Sequence, residues 1–209
     1  MIENETIRYY DEHAVSYAES TAGAQMKYAR ERFLFYIQPE GKILDLGCGS
    51  GRDTVFFLEK GYQVTAADGS EQMCREAKKR TGIPVRHMRF DELSEKNVYN
   101  GIWACASLLH TPYAELEDIM KRIMDALVPE GTVYASFKYG TKEEMRDGRY
   151  YTDLDVERLY RILSRVPGCL LLECWKSHDV RKEMNSQMWL NFIARKTDPA
   201  ALVPAGIIG

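Results

Sequence analysis

The sequence predicts an α/β protein, a mostly parallel sheet with helices on both faces, and three observations carry that expectation. After the turn Gln38-Pro39-Glu40-Gly41, short apolar runs alternate with segments of helical periodicity, the pattern of parallel βαβ units. A glycine-rich turn, Gly47-Cys-Gly-Ser-Gly51, lies between the first apolar run and the helix behind it. The composition, 45% hydrophobic and 28% charged over 209 residues, is that of a medium-sized globular domain and excludes disordered, collagenous and low-complexity chains.

Each element follows from its own pattern. Residues 1–38 carry Tyr9, Tyr10, Tyr17, Tyr28, Phe33, Phe35 and Tyr36 without strand-like alternation, which predicts two helices. Ile43-Leu44 marks the first strand, Asp53 to Lys60 a helix, Val64 to Ala67 the second strand, Ser70 to Arg80 a helix, and Pro84-Val85 the third strand. Gly101 to Ala106 fits a fourth strand. In the helix after it Leu116, Ile119, Met120, Ile123, Met124 and Leu127 recur at helical spacing until Pro129-Glu130-Gly131. Thr132 to Lys138 alternates as a fifth strand. Residues 139–152 are charged, contain Gly140 and Gly148, and are expected to form a lid-like loop. Thr152, with Asp155 three positions on, is expected to cap a helix reaching Ser164. Cys169 to Trp175 and Gln187 to Ala194 are apolar runs close enough to pair antiparallel. Residues 1–196 read as a single domain, and 197–209, with two prolines and no charge after Asp198, as an irregular tail.

Charge and cysteine usage narrow the function classes. Lys plus Arg number 28 against 31 Asp plus Glu, a net charge of −3, so no global basic field exists to hold a nucleic-acid backbone. The five cysteines (Cys48, Cys74, Cys105, Cys169, Cys174) contain no Cys-x-x-Cys pair, and Glu3 and Glu5 stand where a basic leader would begin, so a reducing cytoplasm is expected. The longest uncharged run, Asn97 to Ala114, carries Asn97, Asn100, His110 and Pro112 and is ill suited to a bilayer. His13, His87 and His178 share no metal-ligand spacing, and no metal is expected.

The glycine turn carries the first chemical signal. Gly47 and Gly49 follow an apolar strand and precede a helix, where a missing Cβ lets the backbone turn tightly and approach a ligand closely. A dinucleotide fingerprint needs Gly-x-Gly-x-x-Gly, but the third glycine comes one residue early and Arg52 takes the sixth position; no Gly-Lys-Ser/Thr follows for a P-loop. A plain strand-to-helix turn is the alternative. Asp68 ends the next apolar strand, 23 residues after Asp45, where a carboxylate can accept from both ribose hydroxyls of a nucleoside. It could also be a helix N-terminal acid, although Ser70 is the better cap. Asp45, Asp68 and the Arg89-Phe90-Asp91 stretch complete a nucleoside pocket at the C-terminal edge of the sheet.

These residues resemble the class I S-adenosylmethionine-dependent methyltransferases. Ile43-Leu-Asp-Leu-Gly-Cys-Gly-Ser-Gly51 is similar to that family's motif I, Val64-Thr-Ala-Ala-Asp-Gly-Ser70 with Met73 to its motif II region, and Asn100-Gly-Ile-Trp-Ala-Cys-Ala-Ser-Leu-Leu-His110 to its motif IV. Gly51-Arg-Asp53 and Trp103 to His110 further resemble the tellurite-resistance type. The resemblance implies a Rossmann-like, seven-stranded, mostly parallel sheet with an antiparallel C-terminal strand, S-adenosyl-L-methionine as cofactor and S-adenosyl-L-homocysteine as product. It further implies that Gly47 and Gly49 pass under the methionine moiety, Asp68 holds the ribose, Met73 packs on adenine, Phe90 lies at its edge, and Ala106 faces the sulfonium. Arg89 stands where many relatives have an acid, so Asp91 or the backbone meets the adenine amine. The Tyr10-Asp11 to Tyr17 stretch is similar to a lid helix, which makes residues 1–38 a helical lid. The cofactor set is then Tyr10, Tyr17, Asp45, Gly47, Cys48, Gly49, Arg52, Asp68, Gly69, Met73, Arg89, Phe90, Asp91 and Ala106.

Methyl transfer from a sulfonium needs alignment more than covalent help, and a base only when the acceptor must lose a proton. His110, just after the fourth strand, is either that base or a structural histidine satisfied by backbone groups. Lys138, Arg149 and Arg181 can converge on an anionic acceptor, a tellurite-type oxyanion or a metabolite, or can be solvated surface cations. A small-molecule acceptor is expected, with no nucleic acid and no membrane, on a monomer or homodimer. No Asn/Asp-Pro-Pro-aromatic element follows the fourth strand and no Pro-Cys pair exists, which disfavours nucleic-acid methylation. Nucleic-acid or protein methylation, or a non-catalytic binding partner on the same fold, are the alternatives.

Overall fold

The structure, a computed structural model, describes residues 2–24, 26–180 and 187–198. Two helices, α1 (Ile2–Thr21) and α2 (Lys27–Leu34), precede β1 (Lys42–Leu46), α3 (Arg52–Glu59), β2 (Gln63–Asp68), α4 (Glu71–Thr81), β3 (Val85–His87) and β4 (Tyr99–Ala104). There follow α5 (Tyr113–Ala126), β5 (Leu127–Lys138), β6 (Glu143–Arg146), β7 (Arg149–Thr152), α6 (Val156–Leu163), β8 (Cys169–His178) and β9 (Met188–Lys196). Short 3₁₀ turns span Phe90–Glu92 and Leu108–His110.

The main sheet has seven strands in the order β3-β2-β1-β4-β5-β9-β8. β1 to β5 pair in parallel, whereas β9 runs antiparallel to both β5 and β8. The expected reversed strand is therefore present. Because β9 is reversed, its first residues lie at the same sheet edge as the last residues of β5 and β8: Lys138 pairs with Trp189 and Ser136 with Asn191, while Ser177 flanks Trp189 from β8.

Helices cover both faces, as the alternating pattern requires. On one face α5 buries Leu116, Ile119, Met120, Ile123 and Met124 against Val133, Ala135 and Phe137 of β5. On the other, Phe33 of α2 and Phe57 of α3 meet Trp103 and Tyr134, whose rings stack 4.0 Å apart between centroids. Gly101 permits this approach: a Cβ there would lie 2.6 Å from Phe33 and from Ile37.

Three local expectations are corrected. Residues 139–152 are not a loop but contain the hairpin β6–β7, with Asp147 and Gly148 at φ 50° and 77° as its two turn residues. Asp-Gly supplies the paired positive φ values that a two-residue hairpin needs. Asp155, not Thr152, caps α6, its carboxylate accepting from Arg158 N at 2.8 Å, while Thr152 lies in β7 and donates to the Thr111 carbonyl. Pro129-Glu130-Gly131 does not end an element: it sits as an irregularity inside β5, with Glu130 at φ 64°. Arg181 and the tail from residue 199 lie outside the described residues.

Beneath this face, Asp53 joins three elements. Its carboxylate, 6% exposed, receives the Arg30 guanidinium of α2, the neighbouring Arg52 at 2.8 Å and the Trp103 indole N–H of β4 at 2.9 Å. Burial pushes the carboxyl up, but the two guanidiniums outweigh it and hold the group below the usual range. Asp53→Ala leaves two cations and an indole N–H without their acceptor, and is expected to cost about 3–5 kcal/mol in urea unfolding.

Candidate active site

The ends of β1, β2 and β4 converge on a cavity at the C-terminal edge of the parallel strands, where open α/β sheets place ligands. Gly47 and Gly49 hold φ 76° and 54°. The amides of Gly47 and Cys48 both donate to the Ala67 carbonyl, at 2.8 and 2.9 Å, which ties the turn to β2. A Cβ on Gly47 would fall 2.4 Å from that of Ser107, whereas one on Gly49 would meet nothing within 4 Å. The first glycine is thus required by packing and the second leaves its place open toward the cavity.

Asp68 sits opposite this turn, accepting from Gly49 N at 2.8 Å and from Ser70 N at 2.9 Å. Burial raises its carboxyl, with the two amides working against that. Ser70 caps α4, its hydroxyl accepting from Met73 N. Asp45 accepts from the Thr54 hydroxyl at 2.6 Å; burial and the nearby Asp53 push its pKa up to about 7. Met73 and Phe90 add apolar walls, and Arg89 forks onto Asp91 at the rim. Ala106 is held at φ 52° with its amide on the Ser136 hydroxyl, a conformation unusual for a residue with a Cβ.

Helix α1 closes the cavity through Thr6, Ile7, Tyr10 and Tyr17. Its Asp11 accepts from the Ser70 hydroxyl at 2.6 Å and from Gln72 N at 3.1 Å, placing a carboxylate at the N-terminus of α4. Tyr10 reaches the far side, with its hydroxyl 2.8 Å from His110 Nε2. The other ring nitrogen, Nδ1, lies 2.6 Å from the Tyr150 carbonyl of β7. A carbonyl can only accept, so Nδ1 carries the proton and Nε2 receives the Tyr10 O–H. Burial drives the imidazole pKa down to about 4, against the Tyr150 hydrogen bond and helped by Arg149 and Lys138.

Tyr10, Tyr17, Asp45, Gly47, Cys48, Gly49, Arg52, Asp68, Gly69, Met73, Arg89, Phe90, Asp91, Ala106 and His110 all line this cavity. Lys138 and Arg149 are not among its lining residues. The Lys138 ammonium lies 4.0 Å from the Tyr151 ring centroid, and the Arg149 guanidinium 4.5 Å from Tyr9 and 5.5 Å from Tyr151. The cavity also takes in residues that sequence reasoning missed: Asp53, Ser107, Ser136, Asp179, Trp189 and Asn191. Asp179 is buried, accepts from the Trp189 indole at 3.1 Å, and joins the site because β9 starts where β8 ends. The signal for these last residues was the strand reversal itself, which turns the beginning of β9 into part of the ligand edge.

Comparison with known proteins agrees with this geometry. Residues 43–131 match the family model of a methyltransferase domain. The chain is 27% identical over 106 residues to an uncharacterized methyltransferase of Staphylococcus carnosus, covering 48% of this chain and 51% of that protein. It is 31% identical over 97 residues to trans-aconitate 2-methyltransferase of Sinorhizobium fredii, covering 46% and 37%. The chain thus spans about half the length of these curated relatives, or less. Among solved structures it resembles the 1,6-didemethyltoxoflavin-N1-methyltransferase of Burkholderia thailandensis, solved with 1,6-didemethyltoxoflavin and S-adenosylhomocysteine, with a TM-score of 0.75 at 22% identity over 94% of this chain and 87% of that one. The fold is that of the S-adenosylmethionine-dependent methyltransferases.

The state of His110 has a consequence for stability. A folded pKa of about 4, below the ordinary 6.5, means that the unfolded chain binds a proton the folded one refuses as pH falls between these values. Stability should therefore drop from pH 6.5 toward 4, and thermal unfolding of His110→Gln across this range should show a shallower slope than the unaltered protein.

Proposed function

We propose that this chain binds S-adenosyl-L-methionine in the cavity between Gly47 and Asp68 and transfers its methyl group to a small-molecule acceptor, releasing S-adenosyl-L-homocysteine. The observation that carries this reading is the placement of a half-buried Asp68 carboxylate against a glycine turn whose Gly49 leaves a Cβ's place open. The donor set fits such a group: a carboxylate for two ribose hydroxyls, apolar Met73 and Phe90 for a base, and Asp45 for the methionine ammonium. When bound, the cofactor supplies a methyl group activated by positive sulfur. The chain's part is to align and to exclude water. Residues 1–38 and 139–152 act as the lid of one 1–196 domain, with Tyr10 and Tyr17 over the cavity. A small acceptor suits an enclosed site roofed by α1.

Of the acceptor-side candidates His110, Lys138, Arg149 and Arg181, the neutral His110 alone among the described residues lines the cavity. Lys138 and Arg149, each within cation–π distance of Tyr151, are assigned to holding that ring beneath the lid, so a tellurite-type oxyanion is the less favoured acceptor.

Calorimetry should show saturable binding of both cofactor forms, weakened by about 1.5–3 kcal/mol in Asp68→Ala, where charge-assisted acceptors for the ribose are lost. Equal affinity in the variant would remove the ribose assignment. Release of S-adenosylhomocysteine against thiols, amines, carboxylates, chalcogen oxyanions, tRNA and duplex DNA tests the transfer itself; turnover dominated by a nucleic acid would overturn the small-molecule reading.

A pH dependence follows from Asp45. With a pKa of about 7 in the free protein, it is protonated below that value and ionised above it. A cationic ammonium prefers the carboxylate, so cofactor affinity should rise as the pH passes upward through about 7, with proton release on binding, and Asp45→Asn should flatten the rise.

A further inference from the structure

The hydrogen-bond chain at the cavity roof runs through three separate elements: Tyr10 of α1, His110 behind β4, and the Tyr150 carbonyl of β7. It is directional. The carbonyl fixes the Nδ1 proton, Nδ1–H fixes Nε2 as acceptor, and Nε2 fixes the direction of the Tyr10 O–H. Tyr10 and His110 both line the cavity and are half-buried, the Tyr10 ring beside Tyr17 and the His110 ring beside Tyr151, with the charge of Arg149 acting on both. The Arg149 guanidinium lies 5.9 Å from the Tyr10 ring; burial and the neighbouring Tyr17 and Tyr151 hold the Tyr10 hydroxyl well above its usual pKa, and Arg149 offsets only part of that. Here a neutral base with its lone pair on an O–H stands beside a fixed cation.

We infer that Tyr10 and His110 form a proton relay and that the methyl acceptor is protic, carrying an O–H or N–H that is lost on methylation. The inference rests on the methyl-transfer reading of the same cavity. In the transfer step the acceptor's oxygen or nitrogen lone pair forms the new bond to the methyl carbon. The carbon–sulfur pair goes to sulfur. The acceptor's proton passes to Tyr10 Oη, the Tyr10 proton passes to His110 Nε2, and the resulting imidazolium, which burial, Arg149 and Lys138 disfavour, is transient: its Nδ1–H stays on the Tyr150 carbonyl and the proton on Nε2 leaves to solvent as the product departs. Charge is conserved, since the positive charge leaving sulfur reappears on the imidazole. Tyr10 and His110 are then catalytic residues, and Arg149 is a positioning residue that limits the cost of negative charge on Tyr10.

The test has one arm that needs no acceptor. In protein carrying ¹⁵N-histidine and bound to S-adenosylhomocysteine, His110 should be neutral and protonated at Nδ1 at neutral pH. A charged ring or an Nε2-protonated tautomer overturns the relay. In the second arm the protein with S-adenosylmethionine is offered protic probes (catechol, 8-hydroxyquinoline, indole) and aprotic or anionic ones (dimethyl sulfide, selenite, tellurite). Methylation should fall on the protic set. Tyr10→Phe and His110→Gln should each lower kcat for them by about 10²–10⁴-fold, with the calorimetric cofactor affinity of His110→Gln within about threefold of the unaltered protein. Arg149→Lys, which keeps the charge, should retain more kcat than Arg149→Met. Unchanged kcat in Tyr10→Phe, turnover confined to the aprotic set, or no methylation of any protic probe by protein that binds cofactor would each overturn the relay. Failure to bind either cofactor form would instead remove the methyl-transfer reading beneath it.

Discussion

The end of β2 is bound to the turn after β1, and the rest of the site depends on that constraint. Two successive amides, from Gly47 and Cys48, share the Ala67 carbonyl, and the next side chain along, Asp68, receives Gly49 N. One strand end thus holds three consecutive amides of a turn that has no periodic hydrogen bonding of its own. Only residues free to adopt positive φ can satisfy that geometry at 47 and 49, and only the parallel pairing of β1 with β2 brings the partners into line. The same carboxylate that organises the turn is then the group that faces the cavity. It can hold the turn and still present acceptors to the cavity because the backbone amides occupy one side of each oxygen and leave further lone pairs available.

Helix α1 is joined to this base by polar contacts on three sides. Asp11 grips the start of α4, Thr6 receives the Tyr150 amide at 3.0 Å, and Tyr10 meets His110. Each of these partners lies on a different element, so α1 senses the glycine-turn side, the hairpin and the loop behind β4 together. The hairpin in turn is fastened by Arg146 to the buried Asp153 at 2.6 Å and by Glu143 to Arg158 at 3.0 Å. Contacts of this kind can separate and re-form without exposing a core, and the proposed lid role of α1 and the hairpin would draw on that.

How much of this was legible in the sequence follows from how local each signal is. The glycine turn, Asp68 and the Ser70 cap were readable because chain neighbours decide them: positive φ, strand end, helix start. The strands of the parallel core were readable for the same reason. Asp147-Gly148 was an equally local hairpin signal that the charged composition around it obscured. Asp179, Trp189 and Asn191 were not legible, because they reach the cavity only through the order of the sheet, and a strand's direction reverses which of its ends is functional. For Lys138 and Arg149 the structure adds what sequence distance conceals: the Lys138 ammonium lies 4.0 Å from the Tyr151 ring centroid and the Arg149 guanidinium 4.5 Å from that of Tyr9.

The charge lining the cavity bears on what it can hold. Asp45, Asp53, Asp68, Asp91, Glu115 and Asp179 line it, against the guanidiniums of Arg52 and Arg89, which fork onto Asp53 and Asp91. Those two pairs largely cancel, and the remaining carboxylates set the sign of the local field. Burial resists their ionisation, as the raised Asp45 and Asp68 carboxyls show, so a bound cation relieves a cost already present in the free protein. A sulfonium and an ammonium are such cations. In the proposed transfer the product would lack the sulfonium, so this electrostatic contribution would diminish as the methyl group left, and the field that favours a charged cofactor would do less to retain a neutral thioether. An anionic acceptor would enter against that field, whereas a neutral protic one would not, and its released proton would restore to the cavity the positive charge that sulfur gives up.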